Sequence, residues 1–102
     1  MDSAEIFQKE QGYFKVTGTL SLSNVPLLKE KGAVLITDAP DKSNIDLSDA
    51  LFQGSAGLAL LLSWMRLAEA ANKQIVYLNP PKGLIKIAGI SEIGEILNLD
   101  QA

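Results

Sequence analysis

The segment that most restricts the fold is residues 55–72, SAGLALLLSWMRLAEAAN, which holds no proline and has its single glycine in the first turn. Leu, Ala, Met, Glu and Arg dominate it, so intrinsic propensity predicts one long helix. At about 100° per residue, Leu58, Leu61, Trp64, Met65 and Ala68 share one broad face, and Ala59, Ser63, Arg66 and Ala70 gather opposite. Such a helix must bury one side. What flanks it says against what: Ile45, Asp46, Leu47 and Ser48 read as a strand before it, and Gln74 to Leu78 (QIVYL) as a short strand after it. The near-continuous apolar run of the second suits a strand covered by helices. A strand, helix and strand in succession imply parallel pairing through a right-handed crossover.

The remainder extends this unit. Ile6 to Glu10 and Tyr13 to Leu20 carry β-branched and aromatic residues on both sides of Gln11-Gly12, which predicts an antiparallel hairpin. Ser21, Ser23 and Asn24 are N-cap residues in waiting, and Pro26 fits a first helical turn before Leu27, Leu28, Lys29, Glu30 and Lys31. A short helix ending near Gly32 is expected there, with 33–37 (AVLIT) readable either as its continuation or as a strand. Residues 38–44 (DAPDKSN) form a turn cluster, and 82–88 (KGLIKIA) a further short helix broken by Gly89. Residues 90–99 suffice for a last short strand or turn of helix, and Asp100, Gln101 and Ala102 for a frayed tail. The expected architecture is a single α/β domain over 1–102, a mixed sheet flanked by helices in the order β-β-α-β-α-β-α-β, with the strands around 45–47 and 74–78 central. Nothing repeats, and no segment is low in complexity.

Composition then narrows function. A chain of 102 residues with 12 acidic and 9 basic side chains has a formal net charge of −3, the wrong sign for a phosphate-tracking surface, so no nucleic-acid partner is expected. The absence of Cys and His removes disulfides, thiolate zinc sites, the commonest metal ligand and the commonest general base. No catalytic residue, metal or cofactor is therefore expected. Residues 1–15 lack the apolar run of a signal peptide, and no stretch approaches the roughly 18 apolar residues of a membrane span, which predicts a cytoplasmic protein without direct membrane insertion.

Few residues remain for chemistry. Gln53-Gly54-Ser55-Ala56-Gly57 follows a strand and opens a helix, where backbone N–H groups attract anions. The run is not a dinucleotide or P-loop fingerprint, since no Lys follows it. Nor is it a nucleophile elbow, since Gln53 stands where the first glycine belongs and no His is present to activate the serine. Asp38, Asp41, Asp46 and Asp49 lie near one another in sequence, and only convergence in space would make them a hydrolytic pair or magnesium site; a solvated loop is the plainer expectation, with Asp46, between Ile45 and Leu47, at the rim of the fold. Trp64 belongs to the core or its edge, and Lys82 and Lys86 to a solvated face. Ser55 carries two roles at once. As an N-cap its hydroxyl would accept a backbone N–H, and as a phosphosite it would place about two negative charges at the positive end of a long helix.

The run Ile45-Asp46-Leu47-Ser48, followed by Gly54-Ser55-Ala56-Gly57-Leu58-Ala59-Leu60-Leu61-Leu62, resembles the STAS domain family of anti-sigma-factor antagonists and sulphate-transporter tails. In that family an I-D-L-S strand leads to a D-S-x-G-L segment whose Ser or Thr starts the central helix. The resemblance spans the chain from the opening hairpin to 82–88. Residues 57–62 (GLALLL) and the short chain are most similar to the MlaB group, the small STAS subunits of Mla phospholipid ABC transporters in Gram-negative bacteria. The family's usual acidic residue before the Ser or Thr is Gly54 here, and the usual apolar residue before that is Gln53. The resemblance implies a non-catalytic subunit whose central helix docks on the transporter's ATPase subunit, at the inner face of the inner membrane, and supports outer-membrane lipid asymmetry. The alternative it implies is an anti-sigma-factor antagonist switched by phosphorylation of Ser55. The partner-binding surface is expected at Gly54, Ser55, Ala56, Ala59 and Ser63, small uncharged residues that let another backbone approach at low desolvation cost.

Overall fold

The computed structural model describes residues 3–81, 84 and 99–100. The hairpin forms as expected: β1 (Ala4–Glu10) and β2 (Tyr13–Leu20) run antiparallel, and Gly12 turns the corner at φ 76°. A register shift between Gln8 and Glu10 leaves Lys9 out of the pairing. Then follow α1 (Val25–Thr37), β3 (Lys42–Phe52), α2 (Ala56–Ala70), β4 (Gln74–Leu78) and the two-residue β5 (Leu99–Asp100). The sheet is mixed, in the order β1-β2-β3-β4-β5, with β2, β3, β4 and β5 mutually parallel. Two successive crossovers each step to the next position, and α1 and α2 pack on the same face, as two connections of the same hand require.

That face is the core. Phe14, Val16 and Leu20 of β2, Ile45, Leu47 and Ala50 of β3 and Ile75 and Tyr77 of β4 meet Leu28 and Ile36 of α1 and Leu58, Leu60, Leu61, Trp64 and Ala68 of α2. Each large side chain so buried contributes about 1.5–3 kcal/mol relative to exposure. The polar tips are satisfied within it. Tyr77 donates its hydroxyl to Leu61 O at 2.7 Å, and Trp64 its Nε1–H to Lys29 O at 3.3 Å. Burial pushes the Tyr77 phenol well above its ordinary 10.0.

Three expectations about element ends need correction. α1 does not stop near Gly32 but runs to Thr37, resolving 33–37 as helix. Gly32 is buried against the indole of Trp64 and is there for close packing, not as a terminator. β3 starts at Lys42 and ends at Phe52, so Lys42, Ser43 and Asn44 belong to a strand and not to the turn. They pair with Gln74, Ile75 and Val76, and ladder bonds to a neighbour override weak local preference. Asp100 is not frayed but pairs with Leu78. The expected helix at 82–88 lies outside the described residues except for Leu84, which is fully buried in the core and bonds through its N–H to Pro81 O at 3.0 Å. Residues 90–98, and Gln101 and Ala102, also lie outside them.

α2 ends in a Schellman motif. Asn72 adopts φ 58°, Lys73 N–H reaches Ala68 O at 2.8 Å, and Asn72 N–H reaches Glu69 O at 3.1 Å. Lys73 then turns its ammonium onto the Thr37 and Ala39 carbonyls at the end of α1, where a cation offsets the helix dipole.

Candidate functional site at the start of the central helix

The loop from β3 into α2 emerges at the C-terminal edge of the parallel strands, where α/β sheets carry their sites. Gln53, Gly54 and Ser55 are all exposed. Gly54 takes φ 67° with nothing within 4 Å of where a Cβ would stand, so the backbone is approachable there. Ser55 occupies the N-cap position, and its carbonyl receives Ala59 N–H at 3.1 Å. Its side chain makes no cap hydrogen bond, a departure from the expected capping role. At φ −99° and ψ 0° the residue lies outside the β-region backbone from which an N-cap side chain normally reaches N2 or N3.

The small residues expected to form a surface differ in exposure. Ala59 is exposed and Ser63 half-buried, on the side of α2 away from the core. Ala56 is buried at 8% exposure and therefore does not belong to the accessible surface. Its neighbour Gly57 shows why: a Cβ there would fall 2.5 Å from Phe52 Cδ2 and 3.1 Å from Leu20 Cδ1, so the first turn of α2 lies directly on the sheet.

The β2–α1 loop borders the same surface and was missed in the sequence. Asn24 braces it, donating to Thr19 O at 2.6 Å and accepting Ser21 N–H at 3.0 Å, while the Ser21 and Ser23 hydroxyls share a bond at 2.9 Å. These bonds hold Leu22 outward at 86% exposure. Ser21, Leu22, Ser23, Gln53 and Gly54 line a shallow hollow of about 430 Å³. The available signal was a Leu set between two serines ahead of a helix.

The carboxylates tell a different story. Asp38 and Asp41 stay exposed in the loop before β3, whereas Asp46 and Asp49 come together beside Lys15 on β2. Lys15 Nζ lies 2.8 Å from Asp49 and 4.0 Å from Asp46. Asp46, 6% exposed, is buried, turned into the fold as its place between Ile45 and Leu47 suggested. It accepts Tyr13 OH at 3.2 Å, Ser48 N–H at 2.9 Å and Asn79 Nδ2 at 3.1 Å. Burial opposes its ionisation, but the bonds from Ser48, Asn79 and Tyr13 outweigh it and hold the carboxyl below its ordinary 3.8. Burial, then the Asp46 charge, raises the Tyr13 phenol, and the Asp49 hydrogen bond raises the Lys15 ammonium against the cost of its burial. This saturated network ties β2, β3 and the end of β4 together. Among the described residues no three His, Cys, Asp or Glu side chains converge as metal ligands.

A family model described as "Mlab, STAS domain" matches residues 4–98. The chain belongs to the STAS domain family. Among solved structures, the anti-sigma factor antagonist SpoIIAA in its unphosphorylated form is similar at a TM-score of 0.75 and 21% identity, over 98% of this chain and 88% of that one. The Bacillus cell-fate determinant SpoIIAA in the phosphorylated form is similar at 0.72 and 21%, over 98% and 91%. At that identity the likeness is one of fold. No curated protein matches the chain.

In this STAS domain the outer side of α2 also forms one wall of a groove against α1. Lys29 and Ala33 face Ser63, Arg66 and Leu67 across about 340 Å³, with Trp64, 1% exposed, closing the floor. Among the described residues no helix is long and apolar enough to cross a membrane.

Proposed function

We propose that this STAS domain is a non-catalytic binding subunit that docks through the start of α2 onto the ATPase subunit of an Mla-type phospholipid ABC transporter, in the cytoplasm at the inner face of the inner membrane, and so supports outer-membrane lipid asymmetry. The observation that carries the reading is the match of the MlaB-type family model to 4–98. What supports the docking surface is its chemistry: Gly54, Ser55 and Ala59 are exposed, small and uncharged, and cost little to strip of water. Leu22 beside them supplies the large apolar side chain that the small residues lack.

The test is a binding titration with the purified ATPase subunit. Ala59→Arg should weaken binding at least tenfold, about 1.4 kcal/mol, with the thermal midpoint nearly unchanged because exposed substitutions usually stay within about 0.5 kcal/mol. Full binding by a folded Ala59→Arg chain would move the interface elsewhere. The second reading, an anti-sigma-factor antagonist switched at Ser55, is favoured by a hydroxyl that is exposed and makes no cap bond. Phosphate assigned to Ser55 by peptide fragmentation of the chain from its own cells, together with loss of ATPase binding by no α2 variant, would replace the first reading with the second.

A further inference from the structure

The groove between α1 and α2 has an electrostatic character opposite to that of the chain. The net charge is −3, yet the two charged residues lining this cleft are Lys29 and Arg66, one from each helix. Both are exposed. Among the described residues neither enters an ion pair, a property shared with Lys9 and Lys42 of the sheet, while Lys15 pairs with Asp49 and Asp46, Lys31 with Glu5, and Lys73 rests on backbone carbonyls. Between the cations the lining is Ala33, Ser63, Leu67 and the edge of Trp64, mostly apolar and half-buried. The groove is also rigid on its inner side. Trp64 is locked by its bond to Lys29 O and by the close approach of Gly32, so the spacing of the two helices is set before anything binds. Ser63 belongs both to the groove wall and to the stripe that begins at Ser55 and Ala59, which makes the two surfaces continuous.

We propose that this groove receives an acidic segment of the ATPase subunit, an extended or helical stretch whose carboxylate sits between Lys29 and Arg66 while a neighbouring apolar side chain covers Ala33 and Leu67. This rests on the docking reading above and adds to it the chemistry of the partner. A carboxylate between two unpaired cations gains charge-assisted hydrogen bonds, bidentate with Arg66. Because the rest of the surface is net acidic, the same charges orient the partner during encounter. The apolar lining excludes small hydrophilic anions as preferred occupants, since they would leave Ala33 and Leu67 uncovered.

The experiment is a salt series of binding titrations with the purified ATPase subunit, using the wild-type chain, Lys29→Glu/Arg66→Glu, Arg66→Lys and Ala59→Arg, all checked for an unchanged melting temperature. The double charge reversal should weaken binding at least tenfold and flatten its salt dependence, whereas Arg66→Lys, which keeps the charge but loses the bidentate fork, should fall between it and the wild type with the salt dependence retained. Wild-type affinity in the double variant, alongside loss of binding in Ala59→Arg, would overturn the groove and leave the docking reading standing. No binding by the wild-type chain would overturn both. Flotation of the wild-type chain, but not of the double variant, with phosphatidylglycerol vesicles, with ATPase binding equal in the two, would assign the groove to a lipid surface and overturn the proposal.

Discussion

Replacing Gly32 by Ala should destabilise the domain, although helix propensity says the reverse. In an exposed helix interior the change gains about 1 kcal/mol. Here a methyl on Gly32 would stand 2.5 Å from Trp64 Nε1 and nearer still to Cε2 and Cζ2, where ordinary contact begins at 3.4 Å. The indole is fully enclosed and cannot swing to solvent, so either it or α1 must retreat by about 1 Å, an overpacking strain of about 1–3 kcal/mol. That movement also stretches the Trp64–Lys29 O bond of 3.3 Å, whose loss with the donor still buried adds about 1–3 kcal/mol. Set against the propensity gain, the net loss is about 1–5 kcal/mol. For a domain of this size each kcal/mol lowers the melting temperature by roughly 4–8 °C. Equilibrium urea unfolding followed by fluorescence reads it directly, because Trp64 is the one tryptophan in the chain. Circular dichroism gives a parallel reading for Gly32→Ala/Trp64→Phe, in which the narrower ring should recover part of the loss. A Gly32→Ala chain as stable as the wild type, or more so, would refute the argument that helix spacing depends on that contact.

Other outcomes follow from the same geometry. Ser55→Ala should change stability by less than about 0.5 kcal/mol in thermal melts, below the roughly 1 kcal/mol of a lost N-cap bond, because the side chain makes none. Asn72→Gly should stabilise by about 0.5–1 kcal/mol in the same assay, since the residue sits at φ 58°, where glycine carries no Cβ penalty. The Asp46 carboxyl, held below its ordinary 3.8, contributes stability that is present above that value and lost as pH falls through its lower folded value. Asp46→Asn should therefore flatten the acid limb of a stability–pH curve below about pH 4; an unchanged limb would show that other carboxylates set it.

The parts of this fold legible in the sequence were those determined within a few residues. Gly12 between two β-rich runs specified the hairpin, and the phase of Leu58, Leu61, Trp64 and Ala68 specified the inner face of α2, leaving Ala59 and Arg66 outside. What was misread depended on distant partners. Gly32 looks like a terminator until Trp64, on another helix, is placed against it. Lys42, Ser43 and Asn44 look like a turn until β4 supplies their ladder. At the candidate site, the exposure of Gly54, Ser55 and Ala59 was legible from small-residue spacing, while Ala56 is buried because the depth of a first helical turn depends on Phe52 and Leu20 beneath it. The register that sets Lys15 opposite Asp46 and the pairing of Lys29 with Arg66 across a groove are properties of assembly, and no local pattern encodes them.

The order β1-β2-β3-β4-β5, in which each strand lies beside its predecessor, bears on how the chain is made. No strand has to be threaded between two that are already paired, so a chain leaving the ribosome can add each helix and strand to the edge just completed. The exposed edge at each stage is then the newest strand, and the longest such edge is that of β3, an eleven-residue strand that waits for the whole of α2 to be synthesised before β4 pairs with its Lys42 to Asp46. An unpaired strand edge is a template for other chains. A stalled or truncated product ending just after α2 would therefore aggregate through β3, and brief protease pulses on chains arrested at successive lengths would show protection of β3 beginning only once β4 has emerged.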